Sequence, residues 1–367
     1  MLETLQFHGF GSQGFILSSE NNFFGKSKEG SFKYHEVGMG ASIRPLSDLQ
    51  FSAQMLSRRA GAGDRGNIRL DYGFMDYKLV SKASNDFGIR IGRMQNPIGL
   101  YNDTPRDVAF TRPSIFLPQS IYFDRTQNVA RSSDGIHFYA DHRMGIGDLL
   151  YQLGAVYADV DGQESKKVLL AEVPGDLESR LSYISRLMFE QDGGRVRLAI
   201  TGLLLNAQFK SATSPQGRGD IRFRPLIISA QYNAELWSLS SEYALRNFRY
   251  RNVGPLNFNI TGESYYLQGT YRLFKTLELL LRYDVTFQDK KDRKGKTFAA
   301  RTGRPDHSRF AKDATIGLRW DITKTLMSRI EYHIVDGTAW LPLLDNPPPA
   351  PTKRYWDLFS VLISFRF

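Results

Sequence analysis

Apolar and polar residues alternate one by one along most of the chain. In the stretch SVLISFRF (360–367), Val361, Ile363, Phe365 and Phe367 share one parity, while Ser360, Ser364 and Arg366 share the other. A side-chain period of two is that of a β-strand with one apolar and one wet face. About sixteen such segments can be read between turn residues. The clearest apolar sets are Leu49, Phe51, Ala53 and Met55; Ile68, Leu70, Tyr72 and Phe74; Tyr151, Leu153, Ala155 and Tyr157; and Val196, Leu198, Ile200 and Leu204. Further along come Leu226, Ile228, Ala230 and Tyr232; Tyr265, Leu267 and Tyr271; and Leu279, Leu281, Tyr283, Val285 and Phe287. Ala314, Ile316, Leu318 and Trp320, then Ile330, Tyr332 and Ile334, precede the last strand. The first strand, LQFHGFGSQGF (5–15), is glycine-rich, and its parity is ambiguous.

The connections alternate in length. Seven short turns fall near 45–48, 81–86, 144–148, 190–194, 233–236, 274–276 and 322–325. Eight longer polar loops cover 18–31, 59–66, 97–134, 160–176, 210–222, 250–262, 289–310 and 338–355. That two-sided asymmetry is what sixteen up-and-down strands require. Strands of about 10 residues, rising about 3.3 Å per residue and tilted roughly 45°, span about 25 Å, the height of the apolar band of a membrane barrel. The predicted fold is all-β: a transmembrane antiparallel up-and-down β-barrel of about 16 strands, a single domain over 1–367. A soluble sandwich or propeller is the competing reading, with the apolar parity lining a core and the other parity in bulk water. No shared motif recurs at the roughly 40–50-residue period of propeller blades.

Composition and charge sharpen this picture. The longest apolar run, LAITGLLL (198–205), is far short of the roughly 20 residues a membrane helix needs. Met1-Leu2-Glu3 leads straight into strand-like sequence, so no signal peptide is expected within the chain. The absence of cysteine excludes disulfides, thiolate metal sites and thiol catalysis. The formal charge of +10 points to anionic partners.

Much of that charge falls on the wet parity, which carries Arg69, Arg90, Arg180, Arg186, Arg197, Arg246, Arg272, Arg282, Arg319, Arg329 and Arg366 against Glu36, Asp71, Glu242, Glu278, Asp284, Asp313 and Glu331. Arg186 with Arg197, and Arg319 with Arg329, are expected to be cross-strand neighbours. Opposed like charges destabilise a sheet but are tolerable in a water-filled lumen. The expected pore lining is Arg69, Arg90, Arg186, Arg197, Arg246, Arg282, Arg319 and Arg329. A wall with more arginine than acid raises the local anion concentration. Tyr72, Phe74, Tyr232, Trp237, Tyr283, Trp320 and Phe365 are expected at the membrane interfaces.

The connection 97–134 is exceptional. It is much longer than ordinary connections and mixes four prolines with Val108, Phe110, Ile115, Phe116 and Leu117, so it is expected to pack against something.

Taken together, the strand number, the alternating connections, the long third loop and the terminal Phe367 make the chain resemble a sixteen-stranded bacterial outer-membrane porin. The stretch GRMQNPIGLYNDTPRDVAFTRPSIF (92–116) is similar in feel to the phosphate-selective group, although no anion-binding residue is transferred from it. The resemblance implies that 97–134 folds inward as a constriction loop carrying Asp103, Arg106, Asp107 and Arg112. It further implies that Phe367 is the signal read by the barrel-assembly machinery, that the last strand zips to the first, and that the chain forms a homotrimer in outer-membrane lipid of a Gram-negative bacterium. The expected function is passive diffusion of small hydrophilic solutes, with a preference for anions.

The other constellations carry less. The six histidines are scattered, and His137 and His142, five apart in a strand, fall on opposite faces and make no zinc motif. No catalytic residue, metal site or cofactor is expected. Nucleic acid is not an expected partner, since no stacking aromatics interleave with the arginines. GAGDRG (61–66) lacks the following Lys-Ser/Thr of a phosphate loop, and GRGD (217–220) reads as an exposed loop. The alternative function is a barrel with a blocked lumen, acting as a surface-binding or structural protein or as a lipid-modifying enzyme.

Overall fold

The computed structural model describes residues 5–103, 108–160, 162–170, 173–213, 217–347 and 351–367. In chain order the strands are β1 (Gln6–Ser18), β2 (Ser31–Leu46), β3 (Leu49–Ala60), β4 (Asp64–Lys82), β5 (Asn85–Gln95), β6 (Ser132–Met144), β7 (Gly147–Ala158) and β8 (Gly175–Gln191). The second half holds β9 (Val196–Ser211), β10 (Arg218–Asn233), β11 (Trp237–Val253), β12 (Leu256–Phe274), β13 (Leu277–Phe287), β14 (Phe310–Asp321), β15 (Leu326–Gly337) and β16 (Tyr355–Arg366). Among the described residues these sixteen strands close into one barrel, each antiparallel to its sequence neighbours, with β1 beside β16. Short helices sit in the long connections: α1 (Val108–Thr111) and α2 (Gln127–Arg131) between β5 and β6, α3 (Gln163–Leu170) after β7, and α4 (Lys296–Thr302) after β13.

The seam is built by the two ends of the sequence. Phe367 N–H donates to Gly9 O at 3.0 Å, and Gly9 N–H donates to Phe367 O at 3.2 Å. The ring of Phe367 lies so close over Gly9 that a Cβ there would come within 2.5 Å of it. The ambiguous parity of the first strand is thereby resolved: Phe10 and Ile16 turn inward and are buried, while Phe7 and Leu17 face outward and are exposed. Closure leaves no free edge to pair with other chains.

The alternation works as the pattern implies. Leu198, Ile200, Leu226, Ile228, Leu267, Leu281, Ile316, Ile330 and Ile363 are exposed on the outer face, where a lipid band would cover them. Tyr232, Trp237, Trp320 and Phe365 are exposed beside the short turns, and Phe32, Tyr157 and Tyr355 beside the long connections. Leu281, in the middle of β13, is 53% exposed on this surface. Leu281→Arg is expected to lower the unfolding free energy in lipid vesicles by about 2–4 kcal/mol, the cost of a cation near the bilayer midplane; denaturant titration checks it.

Four expectations are corrected. Strands run from 11 to 19 residues rather than about ten, because several continue past the lipid band on the long-connection side. Two of the expected long loops, 59–66 and 250–262, are tight turns at the tips of such extended strands: the chain turns between Ala60 and Asp64, and between Val253 and Leu256. Tyr72 and Phe74 do not belong to an interfacial girdle. The pairing of β3 with β4 slips between Met55–Leu70 and Gln54–Tyr72, so one residue is added there. This bulge shifts the parity, and both rings turn inward; Tyr72 Oη meets His8 Nε2 at 3.2 Å. Finally, Arg186 is not opposite Arg197. The tight turn pairs Gln191 with Val196, so Arg186 faces Thr201 and Arg197 faces Glu190. Arg319 does face Arg329, as expected.

Candidate functional site: the third loop against the barrel wall

The connection between β5 and β6 folds into the barrel and is tied to it around most of the circumference. Carboxylates on inward positions hold its backbone and its arginines. Glu242, on β11, accepts from Leu100 N at 3.1 Å, Tyr122 Oη at 2.6 Å, Tyr266 Oη at 2.9 Å and Ser229 Oγ at 2.6 Å. Asp284 accepts from Ser120 N, with its two oxygens at 3.1 and 3.2 Å, and Glu331 accepts from Ile115 N at 2.6 Å. On the opposite wall Asp71 accepts from Arg131 at 2.6 Å (Nε) and 3.2 Å (Nη2). A carboxylate is suited to this task because it accepts charge-assisted bonds at both oxygens.

Arg58 is the hub of the network. Its guanidinium reaches Glu36 at 3.0 Å, Asp64 at 3.4 Å and the loop's Asp124 at 3.1 Å, with its side chain 2% exposed. Burial pushes the Asp124 carboxyl up, against the pull of Arg58 and Arg112. Behind the network, Phe23, Phe24, Phe116, Trp340 and Trp356 form a buried aromatic cluster joining the connections after β1, β5 and β15.

The arginines singled out from the sequence divide into two groups. Arg69, Arg90, Arg197 and Arg319 keep 20–39% of their side-chain surface and bind acids: Asp64 at 2.9 Å, Asp76 at 2.8 Å, Glu190 at 2.8 Å and Asp321 at 2.7 Å respectively. Arg186, Arg246, Arg282 and Arg329 are buried. Arg186 forks onto Asp103 at 2.8 and 2.6 Å and donates to Gly99 O at 2.9 Å. Arg282 donates to Ser114 Oγ and Phe116 O, both at 2.9 Å, and Arg329 donates to Arg112 O. Arg246 donates to Thr286 Oγ1 at 2.7 Å and lies over the Phe123 ring at 4.9 Å. Thus Asp103 meets the wall, and Arg112 lies 4.0 Å from Glu36. Arg106 and Asp107 lie outside the described residues.

Sequence reasoning missed Arg58, Arg131 and Tyr122, and it also missed an apolar lining. Between the loop and the wall of β7–β11 lies a partly open cavity of roughly 160 Å³. Ile98, Ile121, Val156, Leu203, Ile221 and Ile227 line it, with Arg125 and Arg246 as its cations. Burial lowers the Arg125 guanidinium to about 10, partly offset by Glu164. The signal was present: LAITGLLL is apolar on both parities, which marks a strand covered on both faces.

No known protein family matches the sequence, and no curated protein matches it either. Solved structures do. The anion-selective porin from Comamonas acidovorans superposes with a TM-score of 0.61 at 12% identity over 99% of both chains. The outer-membrane channel DcaP of Acinetobacter baumannii gives 0.60 at 13% identity over 99% of this chain and 97% of its own. OprB of Pseudomonas putida gives 0.60 at 11% identity over 100% and 94%. At such identities the likeness is one of fold. The chain therefore has the closed sixteen-stranded barrel of the bacterial outer-membrane porins, and its apolar outer wall fits the outer membrane of a Gram-negative bacterium.

Proposed function

We propose that the whole chain acts as one domain, a passive diffusion channel for small hydrophilic solutes with a preference for anions. The observation that carries this reading is the closed wall, apolar outside and charged inside, narrowed by a third loop. Anion preference is supported by the imbalance of partners: among the described residues Arg246, Arg282 and Arg329 form no ion pair, whereas Glu242, Asp284 and Glu331 are engaged by loop N–H groups. In this reading Arg69, Arg90, Arg197 and Arg319 touch the solute. Arg186, Arg246, Arg282 and Arg329 act from behind the loop, whose Asp103 and Arg112 are already bound. Passage by diffusion needs no catalysis and no cofactor. A trimer in outer-membrane lipid, delivered by the barrel-assembly machinery through Phe367, completes the proposal.

A second reading is favoured by one observation. The loop is bonded to wall residues on β3, β4, β8, β11 and β13–β15, which supports a barrel closed at that level and used for surface binding. Conductance and reversal potential of the purified protein in a planar bilayer under a KCl gradient separate the two. The expected result is steady conductance with a chloride-directed potential. A cation-directed potential would remove the anion preference, and inserted protein without conductance would remove the channel.

A further inference from the structure

The cavity between the third loop and the wall of β7–β11 is largely apolar, yet it holds two cations. Ile98 and Ile121 of the loop and Leu203, Ile227 and Ala244 of the wall line it and pack as one cluster. Arg125, from the loop, and Arg246, from β11, line the same space.

Neither guanidinium is neutralised. Among the described residues Arg246 gives Nη2 to Thr286 Oγ1 at 2.7 Å and to Phe287 O at 3.2 Å, and Arg125 gives Nη1 to Leu341 O at 2.7 Å. All three acceptors are neutral. Arg246 is 3% exposed, and its Nε has no hydrogen-bond partner; the Nε of Arg125 has none either. The two guanidiniums repel each other. The acids that attract them are engaged elsewhere: Asp284 accepts from Ser120 N, and Glu164 accepts from Leu343 N at 2.6 Å and Leu344 N at 3.0 Å. Arg282 and Arg329 also lack an ion pair, but they spend their donors on loop carbonyls and do not line this cavity. A buried charge without a counter-charge is costly, and here two of one sign share one apolar space.

An anion from outside the chain would offset both. A bare inorganic anion fits poorly, because its remaining oxygens would lose water against isoleucine and leucine with nothing in exchange. The space therefore calls for an anion with an apolar body. Its volume of roughly 160 Å³ sets the size of that body: a dry apolar cavity of about 150 Å³ takes benzene, whereas a long acyl chain would not be enclosed. The planar fork of arginine matches a carboxylate. We propose that this cavity binds a compact apolar monocarboxylate of the size of benzoate, its body against Ile98, Leu203 and Ile227 and its carboxylate on Arg246 and Arg125. The site is built half by the loop and half by the wall, so it rests on the barrel with its third loop docked and not on conduction.

The test is equilibrium dialysis of the full chain in detergent against radiolabelled benzoate near neutral pH, corrected with protein-free micelles. Wild-type protein is expected to bind benzoate saturably. Benzyl alcohol, which keeps the ring and loses the charge, and acetate, which keeps the charge and loses the ring, are each expected to compete at least tenfold more weakly. Arg246→Gln is expected to weaken benzoate binding at least tenfold. Should that variant fail to fold, the ligand series on wild-type protein still decides the matter. Absence of saturable binding, or undiminished binding by the folded variant, would overturn the proposal. So would equal competition by acetate, which would mark a site for free anions, or by benzyl alcohol, which would mark a merely apolar pocket. Benzoate held by a protein that conducts nothing would defeat the channel and leave this site standing; steady conductance without benzoate binding would do the reverse.

Discussion

Arg58→Ala is expected to undock the third loop. The side chain it removes bridges Glu36, Asp64 and Asp124 with almost no solvent contact. Breaking a buried ionic network by deleting one partner costs about 3–5 kcal/mol, because the remaining charges stay buried without compensation. Asp64 retains Arg69 at 2.9 Å, and Arg112 is 4.0 Å from Glu36, so the loss falls hardest on Asp124. The measurable outcome is a loop newly sensitive to protease near 119–126, with noisier or larger conductance. The effect should depend on pH with a definite sign. Asp124 already titrates above its ordinary range when docked, so the docked state binds the proton more tightly than the released state does. Docking of the variant is therefore strongest at low pH and weakens as pH rises through the docked pKa. If the variant resisted protease as well as the wild-type protein at every pH, the ionic hub would not be what holds the loop.

Phe116→Ala should have a comparable effect by a different physical route. The Phe116 ring meets Phe23 edge-on at 5.0 Å, Tyr34 at 5.1 Å and Phe24 at 6.1 Å, and is 1% exposed. Truncating a buried phenylalanine costs about 3–5 kcal/mol through lost contacts and the cavity left behind. The ring also stands 5.9 Å from the imidazole of His333, which lies 2.9 Å from Asp313, so the cavity opens beside a buried ion pair as well. Because Phe23 also touches Trp340 at 5.2 Å, the damage should spread to the connections after β1 and β15. Hydrogen exchange at 22–24 and 339–341 should accelerate together with that at 114–117. Faster exchange confined to 114–117 would mean that the three connections are anchored separately.

Strand number and antiparallel order could be read from period-two alternation and connection lengths, since a barrel wall has only two faces, whereas the seam at Phe367 and the inward fold of the long loop were implied only by the resemblance to porins. Parity arithmetic failed where a residue was inserted, as at Leu70–Tyr72, and where a turn was centred wrongly, as between Arg186 and Arg197. It could not say what an inward arginine would meet. Arg282 and Arg329 looked like lining because they share parity with Arg90, yet they bind the carbonyls of a loop some 170–220 positions away in sequence. Partners that distant leave no local signal. The acids Glu242, Asp284 and Glu331 were noted only as a minority charge, and they turn out to hold the loop's backbone.

The seam sets the order of assembly. Every other pairing in the wall joins strands adjacent in sequence, whereas Gly9 and Phe367 must find each other across nearly the whole chain. The entropy of closing so long a loop grows only slowly with length, but the search is deferred until the intervening hairpins exist. Until then the growing sheet presents two raw edges, each able to capture a strand from another molecule. The glycine beneath the Phe367 ring leaves room for that ring to close over the seam. A bulkier residue there should displace the ring, hinder closure and lengthen the interval in which half-built barrels aggregate.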